Sequence, residues 1–314
     1  MRFSIAIIHR NDINILRKAI QSVEKYSKST DEIIIVDNNS DDNSLKYFKS
    51  KKNIKIISND CNAGYGAACN QAISISQGKY ILLCNNDIEI YKDTLDDFEK
   101  TFKNKKNAGL IGPQMLSVDG SLMRSYVYKK PHWLQLLDLF GRPFKNHAVH
   151  ELSQVAILRG ACLAVRKDML DDVEAFDEDL YFYHEETEWC LRINKSKFWR
   201  VYFNPDIVIS HIGGYTTNNM FLGSRIEFFR SRLIYWRKSY PLYVFLILLS
   251  WNIPKLFIDL IFYFVLSLLT LFINEKYRKK LLDRFIVLLW LLFFMPKNWG
   301  LKDKCPRKTY VKTQ

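Results

Sequence analysis

No CxxC pair occurs in this chain, and its six cysteines (Cys61, Cys69, Cys84, Cys162, Cys190 and Cys305) lie far apart. A disulfide framework is therefore not expected, and free thiols in a reducing compartment are. No signal peptide precedes the first apolar run, since Met1-Arg2-Phe3 leads straight into it; with the free thiols, this sets the expectation of a cytoplasmic protein. Low-complexity tracts and internal repeats are absent, which excludes a repeat architecture. Glycine is missing from residues 4–12, so the first strand lacks the Gly-rich phosphate loop that a nucleotidyltransferase would want there. Net charge is also nearly absent from residues 1–224, which carry 29 Lys and Arg against 28 Asp and Glu.

What is present is a 314-residue chain with 48% hydrophobic and 14% aromatic residues, enough to bury one large core and carry an appendage. The formal charge of +13 is concentrated beyond residue 224, where 17 basic residues face 5 acidic ones among long apolar runs. Basic charge interleaved with apolar helix points to an anionic lipid surface. No recognised nucleic-acid-binding motif accompanies the charge, so no nucleic-acid partner is expected.

Residues 1–110 alternate short apolar runs with amphipathic stretches. Strands are expected at 4–8, 33–36, 54–58 and 80–83, and helices at 13–26, 44–50 and 67–77. The run at 33–36 is entirely β-branched and should be buried on both faces. Repeated βα units imply an α/β fold with a mainly parallel sheet and right-handed crossovers. From 111 to 224 the pattern is less regular, with a strand near 155–165, a helix near 185–194 and a short strand at 200–203 before Pro205. A boundary is expected at 224/225, giving a domain of residues 1–224 and a basic, apolar helical region of residues 225–314.

Ligands on such sheets bind beyond the carboxyl ends of the strands. Two loops there are unusually polar: Asp37-Asn38-Asn39-Ser40-Asp41-Asp42 and Asn85-Asn86-Asp87. Such residues also favour turns and caps, but two of these loops on one edge favour a site. Asp87, ending a buried strand, would be poorly solvated unless paired or metal-bound. Oxygen ligands of this kind suit Mg²⁺ or Mn²⁺, completed by substrate phosphates, with Asn85 able to assist. Acids crowd residues 177–188, and Glu185 and Glu188, three apart, are expected to share a helix face while Glu186 points elsewhere. Acids in a first helical turn also complement the helix dipole, and a carboxylate beside a pocket can deprotonate an acceptor. His211, ending a strand and followed by Gly213-Gly214, is a candidate metal ligand.

In this order the pieces resemble family 2 glycosyltransferases of the GT-A fold, in particular a rhamnosyltransferase-like branch, over about residues 3–240. The stretch from Ile33 to Asp42 looks like the family's strand and loop that meet the nucleoside. By that resemblance Asp37 contacts base or ribose and Asp42 supports the loop. Asn62-Ala63-Gly64-Tyr65-Gly66-Ala67-Ala68-Cys69-Asn70 is similar to the second nucleotide-side loop, which implies that Asn62, Gly64 and Asn70 lie near the donor. Asn85-Asn86-Asp87 sits where the family has its DxD-type metal motif, with Asn85 replacing the first Asp and Asn86 on the substrate side. Arg159-Gly160-Ala161-Cys162 resembles the segment lining the acceptor and donor-sugar side. The run from Phe176 to Arg192 looks like the family pattern FDExFFxYxEDxDLCxR. Its catalytic base maps onto Glu186, a Glu in place of Asp, with Glu185 as the fallback, Glu188 on the substrate side, and Cys190 and Arg192 structural. His211 matches the histidine that can complete the metal site.

The resemblance implies an inverting, metal-dependent transfer of a sugar from a nucleotide-diphosphate donor (dTDP-rhamnose or a UDP-hexose) to a saccharide hydroxyl. Nucleotide-sugar binding falls to residues 1–110 and the acceptor side to 111–224. A nucleotide-binding membrane scaffold without activity is the alternative. A processive polysaccharide synthase is excluded, because no QxxRW motif is present and the apolar runs are too few for a channel.

Those runs cover residues 242–250, 256–273 and 285–295, and Pro254 is expected to interrupt the first pair. Only the middle one, at 18 residues, approaches spanning length, and it contains Asp259. Basic residues flank every run: Arg230, Arg232, Arg237 and Lys238 before, Lys276, Arg278, Lys279, Lys280 and Arg284 between, and Lys297, Lys302 and Lys304 after. If positive segments stay cytoplasmic, all flanks stay on one side. In-plane or re-entrant helices are expected at the cytoplasmic face of the cell membrane, a two-span hairpin being the alternative. Such an element suits a polyprenyl-diphosphate-linked saccharide acceptor.

Overall fold

The computed structural model describes residues 1–49, 51, 53–136, 148–213, 221–301 and 303–305. Expectations for Ser50, Gly214 and Lys302 lie outside the described residues.

The N-terminal half follows from apolar runs too short for helices and too continuous for a one-sided strand. Strands β1 (Phe3–His9), β2 (Glu32–Asp37) and β4 (Tyr80–Asn85) are buried along almost their whole length, as strands in a sheet covered on both faces must be. They pair in parallel, with β3 (Ile54–Ser58) beyond β2. The sheet runs β3-β2-β1-β4-β10-β6-β11-β5, with β8 (Ser153–Gln154) alongside β11. In its second half β10 (Cys162–Arg166) lies antiparallel between β4 and β6 (Ala108–Leu116), and β5 (Ile88–Ile90) runs antiparallel to β11 (Arg200–His211). The fold is a mixed, mainly parallel α/β sheet of the GT-A kind.

Alternation within each strand divides the core into two layers. Ala6 and Ile8 of β1 face one layer, with Ala68 and Ala72 of α3 (Tyr65–Ile75) and Trp189 and Ile193 of α6 (Glu185–Lys195). Phe3, Ile5 and Ile7 face the other, with Leu16, Ile20 and Val23 of α1 (Ile13–Tyr26) and Phe98 and Phe102 of α4 (Thr94–Asn104). The short α2 (Ser44–Phe48) closes that layer through Phe48. Register gathers the polar strand ends: His9 stands beside Asp37, and Ile8 beside Asn85.

Four expectations need correction, the last of them in the C-terminal helices. The strand expected over 155–165 is broken into β9 (Ile157–Leu158) and β10, with a turn at Gly160 between them, because β9 pairs with the two-residue β7 (Tyr126–Val127) while β10 joins the main sheet. The strand expected to stop before Pro205 continues to His211, because a bulge between Asn204 and Val208 absorbs the proline. Cys61 and Cys305, expected as free thiols, form a disulfide; Cys69, Cys84, Cys162 and Cys190 are buried and free. The pairing arises because residues 303–305 run beside Asn62, whose N–H donates to Asp303 O and whose carbonyl accepts from the Cys305 N–H.

The C-terminal region contains α7 (Phe221–Ser239), α8 (Leu242–Leu269) and α9 (Glu275–Leu292), after the one-turn α5 (Trp133–Leu136) and α6 earlier in the chain. Pro254 does not interrupt α8, which is one 28-residue helix. Val244, Leu248 and Leu256 bury against neighbouring helices on both sides of the proline and hold the axis together despite the missing backbone donor. The opposite face of α8 carries Ile258, Ile261 and Leu269 at 60%, 64% and 75% exposure, far too much for a core helix.

Candidate active site

Residues from several separate segments meet in one cavity of about 510 Å³ at the carboxyl edge of the sheet. Asn85 ends β4, Met115 lies near the end of β6, His211 ends β11, and Glu185 and Glu186 open α6. The length of β11 carries His211 to the loop after β4. There His211 Nε2 stands 3.2 Å from Asp87 Oδ1, while Asp87 Oδ2 accepts from the Gly213 N–H at 3.2 Å. Asp87 Oδ1 and His211 Nδ1 are buried without a hydrogen bond. A carboxylate oxygen and an imidazole left in this state are groups that can accept a cation.

On the other side, α6 is aimed by strained backbone. Tyr183 and His184 both have φ of 68°, left-handed values that non-glycine residues adopt only where surroundings enforce them. Stacking of the His184 ring on Tyr235 of α7, 5.4 Å apart and nearly parallel, supplies that enforcement. Burial also lowers the His184 pKa to about 4, so the ring is neutral near neutral pH. Glu185 is 5% exposed with Oε2 unpaired. Burial, reinforced by the neighbouring Glu186 charge, pushes its carboxyl well above the usual range. Glu186 lines the cavity; burial raises its pKa too, with Arg159 opposing the shift.

Glu185 and Glu186, the fallback and the base that the resemblance implies, both line the cavity, although spacing set Glu186 apart from the face that Glu185 shares with Glu188; Glu188 does not line it. Glu188 accepts from Arg192 Nε and Nη2 at 3.0 and 2.9 Å, and Arg192 also donates to the carbonyls of Glu174 and Ala175. This clamps the preceding loop.

Other expected residues divide between cavity and scaffold. Asp37 is buried and accepts from the Ser40 hydroxyl and N–H; burial raises its pKa. Asp42 accepts from the Ile13 and Ser44 N–H groups and braces that loop. Asn62 Oδ1 accepts from the Gly64 N–H, and Gly64 takes φ of 89° with no room for a Cβ, which would lie 2.3 Å from the Tyr181 carbonyl oxygen. Gly160 lines the cavity and accepts from the Tyr65 hydroxyl. Asn70 instead exchanges hydrogen bonds with the Phe176 backbone, tying α3 to the segment before α6. Asn86 turns away from the cavity to bond His9 Nδ1 at 3.0 Å, while His9 Nε2 meets Ser44 Oγ at 2.7 Å. This buried chain links the loop after β4 to the loop after β2. His9 carried no motif signal; only its place at the end of a buried strand could have marked it.

Residues 4–173, more than half of the chain, match the family model described as glycosyl transferase family 2. The chain belongs to that family. This glycosyltransferase is 21% identical over 221 residues to an N-acetylglucosaminyl-diphospho-decaprenol L-rhamnosyltransferase of Mycobacterium tuberculosis, covering 62% of this chain and 71% of that one. It is 24% identical over 191 residues to a poly(ribitol-phosphate) β-N-acetylglucosaminyltransferase of Staphylococcus aureus, covering 59% of this chain and 30% of that one. The match to a Sinorhizobium fredii protein spans 23% of that protein's length. Among solved structures, a mannosyltransferase from Pyrobaculum calidifontis, in complex with GDP-Man and Mn²⁺, superposes with a TM-score of 0.55 at 13% identity over 92% of this chain and 87% of that one. That likeness establishes the shared fold.

The donor set in the glycosyltransferase suits a divalent cation of the Mn²⁺ or Mg²⁺ kind. Among the described residues no three His, Cys, Asp or Glu side chains cluster as a metal site. Asp87 with its orphaned oxygen, next to His211, is the two-ligand arrangement that hard cations accept when substrate phosphates complete the sphere. Arg124 and Arg159 also line the cavity. Arg159 stood within a recognisable segment, whereas no local signal marked Arg124.

Proposed function

We propose that this glycosyltransferase moves a sugar from a nucleotide-diphosphate donor, dTDP-rhamnose or a UDP-hexose, to a hydroxyl of a phosphate-linked saccharide acceptor with inversion at the anomeric carbon. The observation that carries the reading is a single cavity lined by His211, which stands 3.2 Å from Asp87, and by Glu185 and Glu186. Single displacement needs a base for the nucleophile and a group that stabilises the leaving diphosphate, and the cavity brings candidates for both together. Glu186 takes the proton from the acceptor hydroxyl, which attacks the anomeric carbon as the nucleoside diphosphate departs. Its raised pKa strengthens it as a base, and the Arg159 charge keeps it ionised. Glu185, whose burial favours its protonated form, stands beside it as the fallback base. Asp37 meets the nucleoside, Asp42 and Asn62 hold its loops, and Gly64 and Gly160 let backbone approach the donor. Asp87 and His211, assisted by Asn85, would hold a cation that neutralises charge on the diphosphate.

The reading also places the enzyme on a membrane surface. Helix α8 is long and apolar enough to cross a bilayer by length and composition. Its polar residues Lys255 and Asp259 face Arg284 of α9, leaving one continuous apolar face outward. A helix of this kind lies in the interface, at the cytoplasmic face, beside a polyprenyl-diphosphate-linked acceptor.

The test is calorimetric titration with UDP, dTDP and GDP, with and without Mn²⁺, on the wild type and Asp87→Ala. Metal-dependent binding of one diphosphate, lost in the variant, supports the reading and narrows the donor. Absence of binding under every condition overturns it.

A further inference from the structure

Arg124 and Arg159 line the cavity on adjacent segments, held together where the Arg159 N–H donates to Ser125 O at 2.9 Å. Among the described residues neither forms an ion pair with a carboxylate, although burial and the Arg159 charge already weigh against a charged Arg124. Two guanidinium groups close to one another, neither in an ion pair although the Arg159 charge reaches Glu186, can take a further anion, and their planar forks match phosphate oxygens.

The position of Arg159 identifies whose anion this is. A Cβ added at Gly160, its neighbour, would sit 3.6 Å from Glu186 Cβ and 3.7 Å from the Tyr65 ring. The Arg159 charge acts on both Glu186 and His184 at the start of α6. Arg159 therefore stands on the same side as the proposed base. In an in-line displacement the leaving diphosphate lies on the far side of the anomeric carbon, so the anion beside the base belongs to the acceptor.

We infer that Arg124 and Arg159 form a subsite for a phosphate or diphosphate carried by the acceptor near its accepting hydroxyl. The inference rests on the transferase reading with Glu186 as base, and it adds the acceptor's charge as a requirement for recognition. A prenyl-diphosphate saccharide and a polyol-phosphate chain share this chemistry.

Two measurements on the full chain test it. In the first, inorganic pyrophosphate is titrated calorimetrically in excess chelator, which disables the cation site. The wild type binds, and the double variant Arg124→Ala/Arg159→Ala binds at least tenfold more weakly, while the Lys variants are intermediate. In the second, kcat/KM is compared for a prenyl-diphosphate disaccharide, a polyol-phosphate oligomer and an uncharged alkyl glycoside. The double variant lowers the ratio of phosphate-bearing to uncharged acceptor at least tenfold, and whichever charged acceptor shows the drop is the source. The inference is overturned if the wild type ignores pyrophosphate, if the ratio is unchanged, or if the variants weaken binding of the nucleoside diphosphate instead. Loss of nucleotide binding and turnover in the wild type itself would overturn the transferase reading.

Discussion

At the scale of single residues, Glu185 and Glu186 have opposite consequences. Replacing Glu186 with Gln removes the proposed base, and kcat should fall by about 10²–10⁴ with nucleotide affinity retained. Because burial holds this carboxyl above its usual value of 4.5, the acid limb of the wild-type rate profile should lie above the ordinary carboxylate range. Glu185 affects folding instead. Its folded-state pKa is raised above the unfolded value, so its contribution to stability is full below about 4.5 and is lost as pH rises through the raised value. Glu185→Gln should therefore flatten the fall in Tm as pH rises above the ordinary carboxylate range; an unchanged slope in thermal melts would remove this assignment. Gly64→Ala, forced into a left-handed conformation against the Tyr181 carbonyl, should cost about 1–3 kcal/mol in a denaturant titration. The acids of α6 were legible as residue types in sequence. Helical spacing alone pairs Glu185 with Glu188; the pair on the cavity, Glu185 and Glu186, was named only through the resemblance.

At the scale of elements, parallel strands announce themselves because burial on both faces demands unbroken apolar runs, as β1, β2 and β4 show. The bulged β11 does not. Pro205 reads as a stop, yet the continuation beyond it is what delivers His211 to Asp87. The segment at residues 303–305 was equally hidden. It lies against Asn62 through backbone hydrogen bonds, Lys304 pairs with Glu227 of α7, and the Cys61–Cys305 bridge closes a separation of 244 residues. Alkylation of the unreduced protein in denaturant should label four cysteines and spare Cys61 and Cys305; labelling of all six would exclude the bridge. Cys305→Ser should lower stability by about 2–4 kcal/mol in non-reducing denaturant melts.

At the scale of the whole molecule, an electrically balanced sheet domain is joined to a basic, apolar helical region. If α8 and α9 rest on an anionic bilayer, the full chain should float with vesicles containing anionic lipid, less so with zwitterionic ones, and added salt should release it. Replacing the exposed Lys276, Arg278 and Lys279 together with Gln should weaken partitioning on the order of a hundredfold, at about 1 kcal/mol per residue. Equal flotation on neutral vesicles would mean that apolar area alone holds the protein. Composition and period by themselves determined the α/β class, the polar strand ends and the charge asymmetry, because these depend on local pattern and short spacings. Tertiary structure alone decided the two arginines on the base side, the inward turn of Asn86 and the bridge to Cys305. Each joins residues from separate segments, and their meeting depends on strand order, bulges and helix starts that no local window encodes.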